Sequence, residues 1–188
     1  MALDKTIFYG LADAKVGVIT ADTSDTYTTS TQVDVEGIKS FTASAIIEEK
    51  EARGDGVLLA TKQEFQGYDI TFTNAIMKVD LIDAINGSTA STDGTTPNEI
   101  TTIKNTKDTV PAYFNLMVKP EADTGDVAGA YREFYKVRGF ISVEHAEEDY
   151  AVCSFTGKAI ARTYDGAIDA MVFLETDAVL AAPTQVTP

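Results

Sequence analysis

Residues 131–162 alternate between apolar and polar side chains almost without interruption, and that period of two leaves little choice of fold. In YREFYKVRGFISVEH, Tyr135, Val137, Ile141 and Val143 fall on one face of an extended strand. Lys136, Arg138, Ser142 and Glu144 fall on the other. The stretch YAVCSFTGKAIAR repeats the pattern, with Cys153 and Phe155 opposite Ser154, Thr156 and Lys158. A polar His-Ala-Glu-Glu-Asp turn separates the two, so together they predict a long antiparallel hairpin.

The same period marks further strands. Lys15–Thr20 and Thr31–Ile38 are two of them, and Phe41–Glu49 places Phe41, Ala43, Ala45 and Ile47 on one face. Tyr68, Ile70 and Phe72 oppose Asp69, Thr71 and Thr73 over Tyr68–Thr73. Ala112–Lys119 turns Phe114, Leu116 and Val118 inward, and Ile168–Glu175 does so with Ile168, Val172 and Leu174. Roughly eight strands in one chain of this size predict a mainly β fold, a two-sheet antiparallel β-sandwich. One segment, NAIMKVDLIDAINGS, changes period: Met77, Leu81, Ile82 and Ile85 share a helical face opposite Asp80 and Asp83. Asn74 is its candidate N-cap, with Asp80 capping a shorter version, and Gly87 its stop, so one short α-helix of about three turns flanks the sheets.

Segments 20–31 and 86–99 are rich in Thr, Ser, Gly and Asp and predict loops. A third, Glu48–Leu59, joins charge to a Gly-Asp-Gly turn and an apolar patch, and loops this long in a compact domain are often functional. No repeat or linker divides the chain, so residues 1–177 are expected to form a single domain and 178–188 a flexible C-terminal tail.

Charge narrows the function. Against 29 Asp and Glu stand 15 Lys and Arg, for a net −14. A protein that neutralises phosphates needs a basic face, and an anionic membrane repels an acidic one. No apolar run approaches the ~18 residues of a membrane span. Asp4, Lys5, Asp13 and Lys15 break up the first twenty residues, so no export signal is expected. The single cysteine, Cys153, cannot form an internal disulfide, which suits a reducing cytoplasm.

Chemistry is sparse. His145 is the only imidazole, lies in a polar turn, and has no Gly-x-Ser-x-Gly elbow to serve. Cys153 alternates with core-facing residues, as an inert buried thiol does. Two Cys and His residues in total are too few for a zinc site. Asp22 with Asp25, and Asp123 with Asp126, place carboxylates in loops, but neither pair matches a calcium-loop pattern. Glu48 and Glu49 are adjacent on a strand and point to opposite faces, so they cannot act as one hydrolytic pair; Glu147, Glu148 and Asp149 are merely consecutive acids. Gly54-Asp55-Gly56 lacks the lysine and spacing of a phosphate loop. The expectation is a protein without catalytic residues, cofactor or metal.

The order of segments carries a resemblance. KVGVIT (15–20) and VDVEGI (33–38) precede the long charged segment Glu48–Gly56. YDITFT (68–73) then runs into the helix ending at Gly87, AYFNLMV (112–118) leads to the hairpin Arg132–Arg162, and ARTYDGAI (161–168) enters a last strand. Over residues 10–177 this order resembles the major tail protein of long-tailed bacteriophages, the subunit of the tail tube.

The resemblance implies hexameric rings stacked into a hollow tube through which double-stranded DNA passes without specific binding. It implies a virion protein made in the host bacterial cytoplasm, with tape-measure, tail-terminator and baseplate proteins as partners. It makes Glu48, Glu49, Lys50, Glu51, Arg53, Asp55, Val57, Leu58 and Leu59 the segment that meets a neighbouring subunit or ring. Asp34, Glu36, Glu48, Asp69 and Glu144 become candidates for an acidic channel wall, whose repulsion salt confines to about 8 Å. Two other readings stand beside it. A tube protein of a contractile or secretion apparatus shares this fold. A surface adhesion or sugar-binding sandwich is disfavoured by the absence of Trp, the best stacking face, and of an export signal.

Overall fold

A computed structural model of the chain describes residues 8–55, 57–76, 78–122, 129–146, 149–174, 180 and 185–186. The strands are β1 (Phe8–Asp22), β2 (Tyr27–Thr29), β3 (Val33–Asp34), β4 (Ile38–Gly54) and β5 (Val57–Asn74), followed by α1 (Val79–Asn86). Then come β6 (Thr89–Asp93), β7 (Ile100–Lys104), β8 (Phe114–Ala122), β9 (Gly129–Ala146), β10 (Asp149–Ala159) and β11 (Asp169–Leu174). The fold is the expected β-sandwich with a short flanking helix. Its main hydrogen-bonded path runs β2-β1-β8-β9-β10-β5-β4, with β3 on β1 and β11 on β9, while β6 and β7 form a separate hairpin. The predicted hairpin is β9–β10, in register from Val152↔Glu144 to Ala159↔Val137.

Strand β9 belongs to both layers. Its first half lies between β8 and β11, and its second half pairs with β10. The β8 register slips between Leu116↔Phe134 and Phe114↔Val137, a bulge that transfers the inward face from even to odd positions. Phe134 and Val137 therefore both reach the core and are fully buried. The slip corrects one expectation: Tyr135 does not share the inward face of Val137 and Ile141. It packs outside the core, edge-on to Tyr27 with ring centroids 6.1 Å apart. Across the core, Phe155 of β10 stacks on Phe72 of β5 at 4.7 Å and meets Phe114 of β8 at 5.5 Å. Phe134 meets Tyr68 at 5.5 Å and Phe41 at 5.7 Å.

Other boundaries shift for local reasons. The strand expected at Thr31–Ile38 shrinks to Val33–Asp34, because the chain turns at Gly37, whose φ is 68°. The helix begins at Val79 after an uncapped Lys78, so neither Asn74 nor Asp80 caps it. Asn74 instead ends β5 and donates from Nδ2 to the Ile76 carbonyl at 2.5 Å. Gly87 does close the helix, in the left-handed conformation. Leu81, Ile82 and Ile85 are buried, and the Asn86 amide bonds both the N–H and the C=O of Ile141 in β9. The two loop-like segments contain β2 and β6. Within the expected tail, Leu180 is buried and Val186 exchanges backbone hydrogen bonds with Tyr27, so these residues dock on the sheet.

Where β9 passes from one layer to the other, Gly139 faces Gly157 across the β9–β10 pair. A Cβ on Gly139 would lie 2.2 Å from the Thr156 carbonyl oxygen and 2.8 Å from Phe155 Cζ. The two backbones thus approach too closely for any side chain. Gly139→Ala is expected to cost about 2 kcal/mol, the scale of an overpacked core, read as a lower urea midpoint; an unchanged midpoint would show that the pair tolerates a methyl group.

Candidate functional site

The segment expected as a loop at Glu48–Leu59 is instead regular β-structure. β4 continues to Gly54 and β5 starts at Val57, paired as far as Gly54↔Val57 with a slip between Ala52↔Ala60 and Arg53↔Leu58 that leaves Leu59 without a partner in the ladder. Both faces there are polar, so the alternation that marks half-buried strands is silent while the backbone ladder continues. β10 leaves β5 at Ala159↔Tyr68. Beyond that point β4 and β5 run on as a two-stranded arm, from Ile47↔Phe65 outward, about 25 Å long at the usual rise per residue. Gly67 marks the departure: its φ is 151°, and a Cβ there would sit 2.2 Å from the Ala159 carbonyl oxygen. The register slips beside it, leaving Gln66 unpaired.

All nine nominated arm residues lie on this ribbon or its turn. One face carries Glu48, Lys50, Lys62 and Glu64. There Lys50 bridges Glu48 at 3.3 Å and Glu64 at 3.4 Å, and Lys62 pairs with Glu64. Glu48 stands opposite Glu64, and Lys50 opposite Lys62, so the along-strand and diagonal pairs only offset like-charge repulsion. Glu49, Glu51 and Arg53 occupy the other face, with Arg53 2.8 Å from Glu51. Asp55 turns the chain at φ 51°. At the tip Val57, Leu58 and Leu59 are 61%, 48% and 69% exposed. Exposed ion pairs contribute at most about 1 kcal/mol each, and an isolated hairpin is marginal in water. The arm therefore has little of its own to hold it in shape.

The five acids nominated for a channel wall are spread over the molecule. Asp69 and Glu144 share the outer face of the β4-β5-β10-β9 layer, and Glu48 continues that side onto the arm. Asp34 sits on β3, 3.8 Å from Lys15, and Glu36 pairs with Lys78 beside the helix. Around Asp69 and Glu144 the outer face is a field of hydroxyls: Ser40, Thr42, Ser44, Thr71, Ser142 and Thr156 are exposed there. Lys158 lies 3.8 Å from Asp69.

One buried polar cluster has no counterpart in the sequence pattern. On the outward face of β8 and β9, Asn115 donates to Glu133 at 2.8 Å and to the Tyr27 hydroxyl at 3.2 Å, and Tyr27 donates to the Tyr135 carbonyl at 2.5 Å. The Arg162 guanidinium lies 3.7 Å from the Tyr135 ring centre and 4.8 Å from that of Tyr27, and is held by a bidentate pair to Asp165 at 2.7 Å. Burial pushes the Tyr27 and Tyr135 hydroxyls above their ordinary range. Nearby, Asp22 accepts from Lys136 at 2.5 Å and from the Thr163 N–H at 2.7 Å. Partial burial raises its pKa, but these hydrogen bonds outweigh burial and hold it below the ordinary value. Asp22 is thereby committed within the protein rather than paired with Asp25. Only the period-two pattern of β9, read with its bulge, could have revealed this second buried face.

Cys153 is buried, and burial raises its thiol pKa. Among the described residues no group of three or more His, Cys, Asp and Glu could hold a metal ion. The side chain of His145, and the residues Asp123, Asp126, Glu147 and Glu148, lie outside the described ones. No family model matches the chain, and no curated protein matches it. What fold and arm define together is a β-sandwich module that projects an apolar-tipped ribbon.

The Arg162–Asp165 pair has a pH signature. Hydrogen bonding from Arg162 lowers the Asp165 pKa from 3.8 to about 2. A depressed carboxylate stabilises the fold above the unfolded value and loses that contribution as pH falls toward 2. Asp165 is partly exposed, so solvent screening leaves about 1 kcal/mol. Asp165→Asn should lower the urea midpoint at pH 7 and converge with the unmodified protein near pH 2. A gap that persists there would place the effect in packing rather than charge.

Proposed function

We propose that this protein is a self-assembling structural subunit, a component of a hollow tube of the kind formed by phage major tail proteins, and not an enzyme. The arm carries the reading. A polar two-stranded ribbon with an apolar tip gains nothing as a free appendage: it exposes Val57, Leu58 and Leu59 and barely holds its own shape. Seated on a neighbour, each of those side chains contributes up to roughly 1.5–3 kcal/mol of burial, enough for a repeated contact to hold an assembly together. Open sheet edges support the same reading, because among the described strands β4 pairs only with β5, which leaves its outer edge in the sandwich body open to a strand from another copy.

In such a tube the hydroxyl-rich face bearing Asp69 and Glu144 lines the channel. Apart from Phe140 and the half-buried Val152 it presents hydroxyls and balanced charges, so it gains little by burial, and it lacks the surplus cations that would hold a polyanion. Rings of this subunit would stack, and DNA would pass through without binding. Tape-measure, terminator and baseplate proteins would meet the ends. The compartment would be the virion.

Negative-stain microscopy with light scattering tests the proposal: rings or tubes are expected, and a monomer that persists over a wide concentration range would sink it. Replacing Val57, Leu58 and Leu59 with Ser should abolish assembly while circular dichroism and the melting temperature stay unchanged, since none of the three packs on the body. Equal tube yield from that variant would remove the tip from the interface.

A further inference from the structure

The layers of the sandwich part at the base of the arm, and apolar side chains are left there in water. Phe65 and Ile47, paired across the arm, are 47% and 55% exposed on the side that continues the core face. Phe65 meets Tyr68 at 4.9 Å, and Arg132 lies 4.5 Å over the Tyr68 ring. Across the strand from Arg132 sits Met171 of β11, with Phe173 one step further on the same face; these are 58% and 50% exposed. Phe65, Tyr68, Arg132, Met171 and Phe173 thus form one connected surface running from the arm base to β11.

We propose that this surface is the acceptor for the arm tip of a second copy, Val57–Leu59. The inference rests on the self-assembly reading and names the contact that reading needs. Two observations fix the occupant. First, donor and acceptor stand on the same chain, yet along the paired ribbon the tip lies about 25 Å from its own base, away from the seat. Second, the surface offers no free cation to attract an acidic ligand: the Arg132 Nε is bound to Asp169 at 2.8 Å, and its guanidinium is stacked on Tyr68 and Phe134. What remains is apolar, matching an apolar tip. β11 also pairs only with β9 among the described strands, so its outer edge is open beside the seat. A contact between two different patches of the same chain is head-to-tail, and repetition builds rings or filaments rather than a closed dimer.

Cysteine cross-linking on the full chain tests this, because the one native thiol is buried. Under conditions where the unmodified protein assembles, the double variant Leu58→Cys with Phe173→Cys should oxidise to a ladder of covalent dimers, trimers and larger species. Either single variant should give no ladder. Met171→Glu with Phe173→Glu should fold normally by circular dichroism and lose its high-mass species. Assemblies that form without a ladder overturn the proposed seat and leave self-assembly standing, and the ladder decides if the two tests disagree. An unmodified protein that stays monomeric overturns both, and an apolar segment of another protein would then be the occupant.

Discussion

Every layer of this molecule is tied to the change of face within β9. Over its 18 residues the inward face passes from even to odd positions, because one extra residue is inserted opposite β8 and would otherwise turn the second half's apolar set away from the core. The one-residue slip between Phe134 and Val137 lets both reach the core. Two glycines, facing each other at 139 and 157, let β9 and β10 draw together just beyond the slip. The same slip sends Tyr135 outward, where it and Glu133 need cover. Tyr27 and Arg162 provide it, so the outward face of β8 becomes a second, polar interior.

That body frees the arm from any part in folding. The aromatic core closes at Tyr68 and Phe134, and the helix is pinned to β9 by Asn86. Nothing beyond Ile47 and Phe65 contributes to it. An extension that leaves stability untouched while exposing apolar groups at both tip and base is a liability for a free monomer, since such patches invite association. The proposed self-assembly would turn that liability to use. Head-to-tail contact between the two patches, as proposed, would cover each with the other copy's chain rather than its own.

How far the sequence could be read depends on what pattern each element had to show. Strands with one buried face were legible: Ile70 and Phe72, Phe114 and Leu116, and Cys153 and Phe155 all point inward as their alternation demands. The arm reads as a loop because a ribbon wet on both faces has no apolar rhythm, although its charge and its Gly-Asp-Gly turn mark the segment out. Tyr135 reads as inward in the sequence because a bulge inserts a residue without any marker in composition. The sequence pattern starts the helix too early, since Asn74 serves a strand end as readily as a cap. Phe65, Met171 and Phe173, the proposed acceptor residues, are not distinguished by periodicity, for an exposed apolar side chain on a strand looks like a buried one until the opposite layer is known to be missing.

The placement of charge also alters what an acidic protein of this kind can do. Of the five acids that the net −14 brought to notice, four sit beside lysines: Asp34 by Lys15, Glu36 by Lys78, Glu48 by Lys50 and Asp69 by Lys158. Only Asp69, Glu144 and Glu48 share a side of the molecule. A channel wall built from that face would repel DNA weakly at each subunit. Its non-adhesion would come chiefly from hydroxyl groups, which stay hydrated, while the Lys158 ammonium on that face is offset by Asp69 beside it. Repulsion needs a surplus of acid, whereas inertness needs only the absence of a surplus of base. The latter is the weaker demand, and it is the one that the Ser- and Thr-covered face meets.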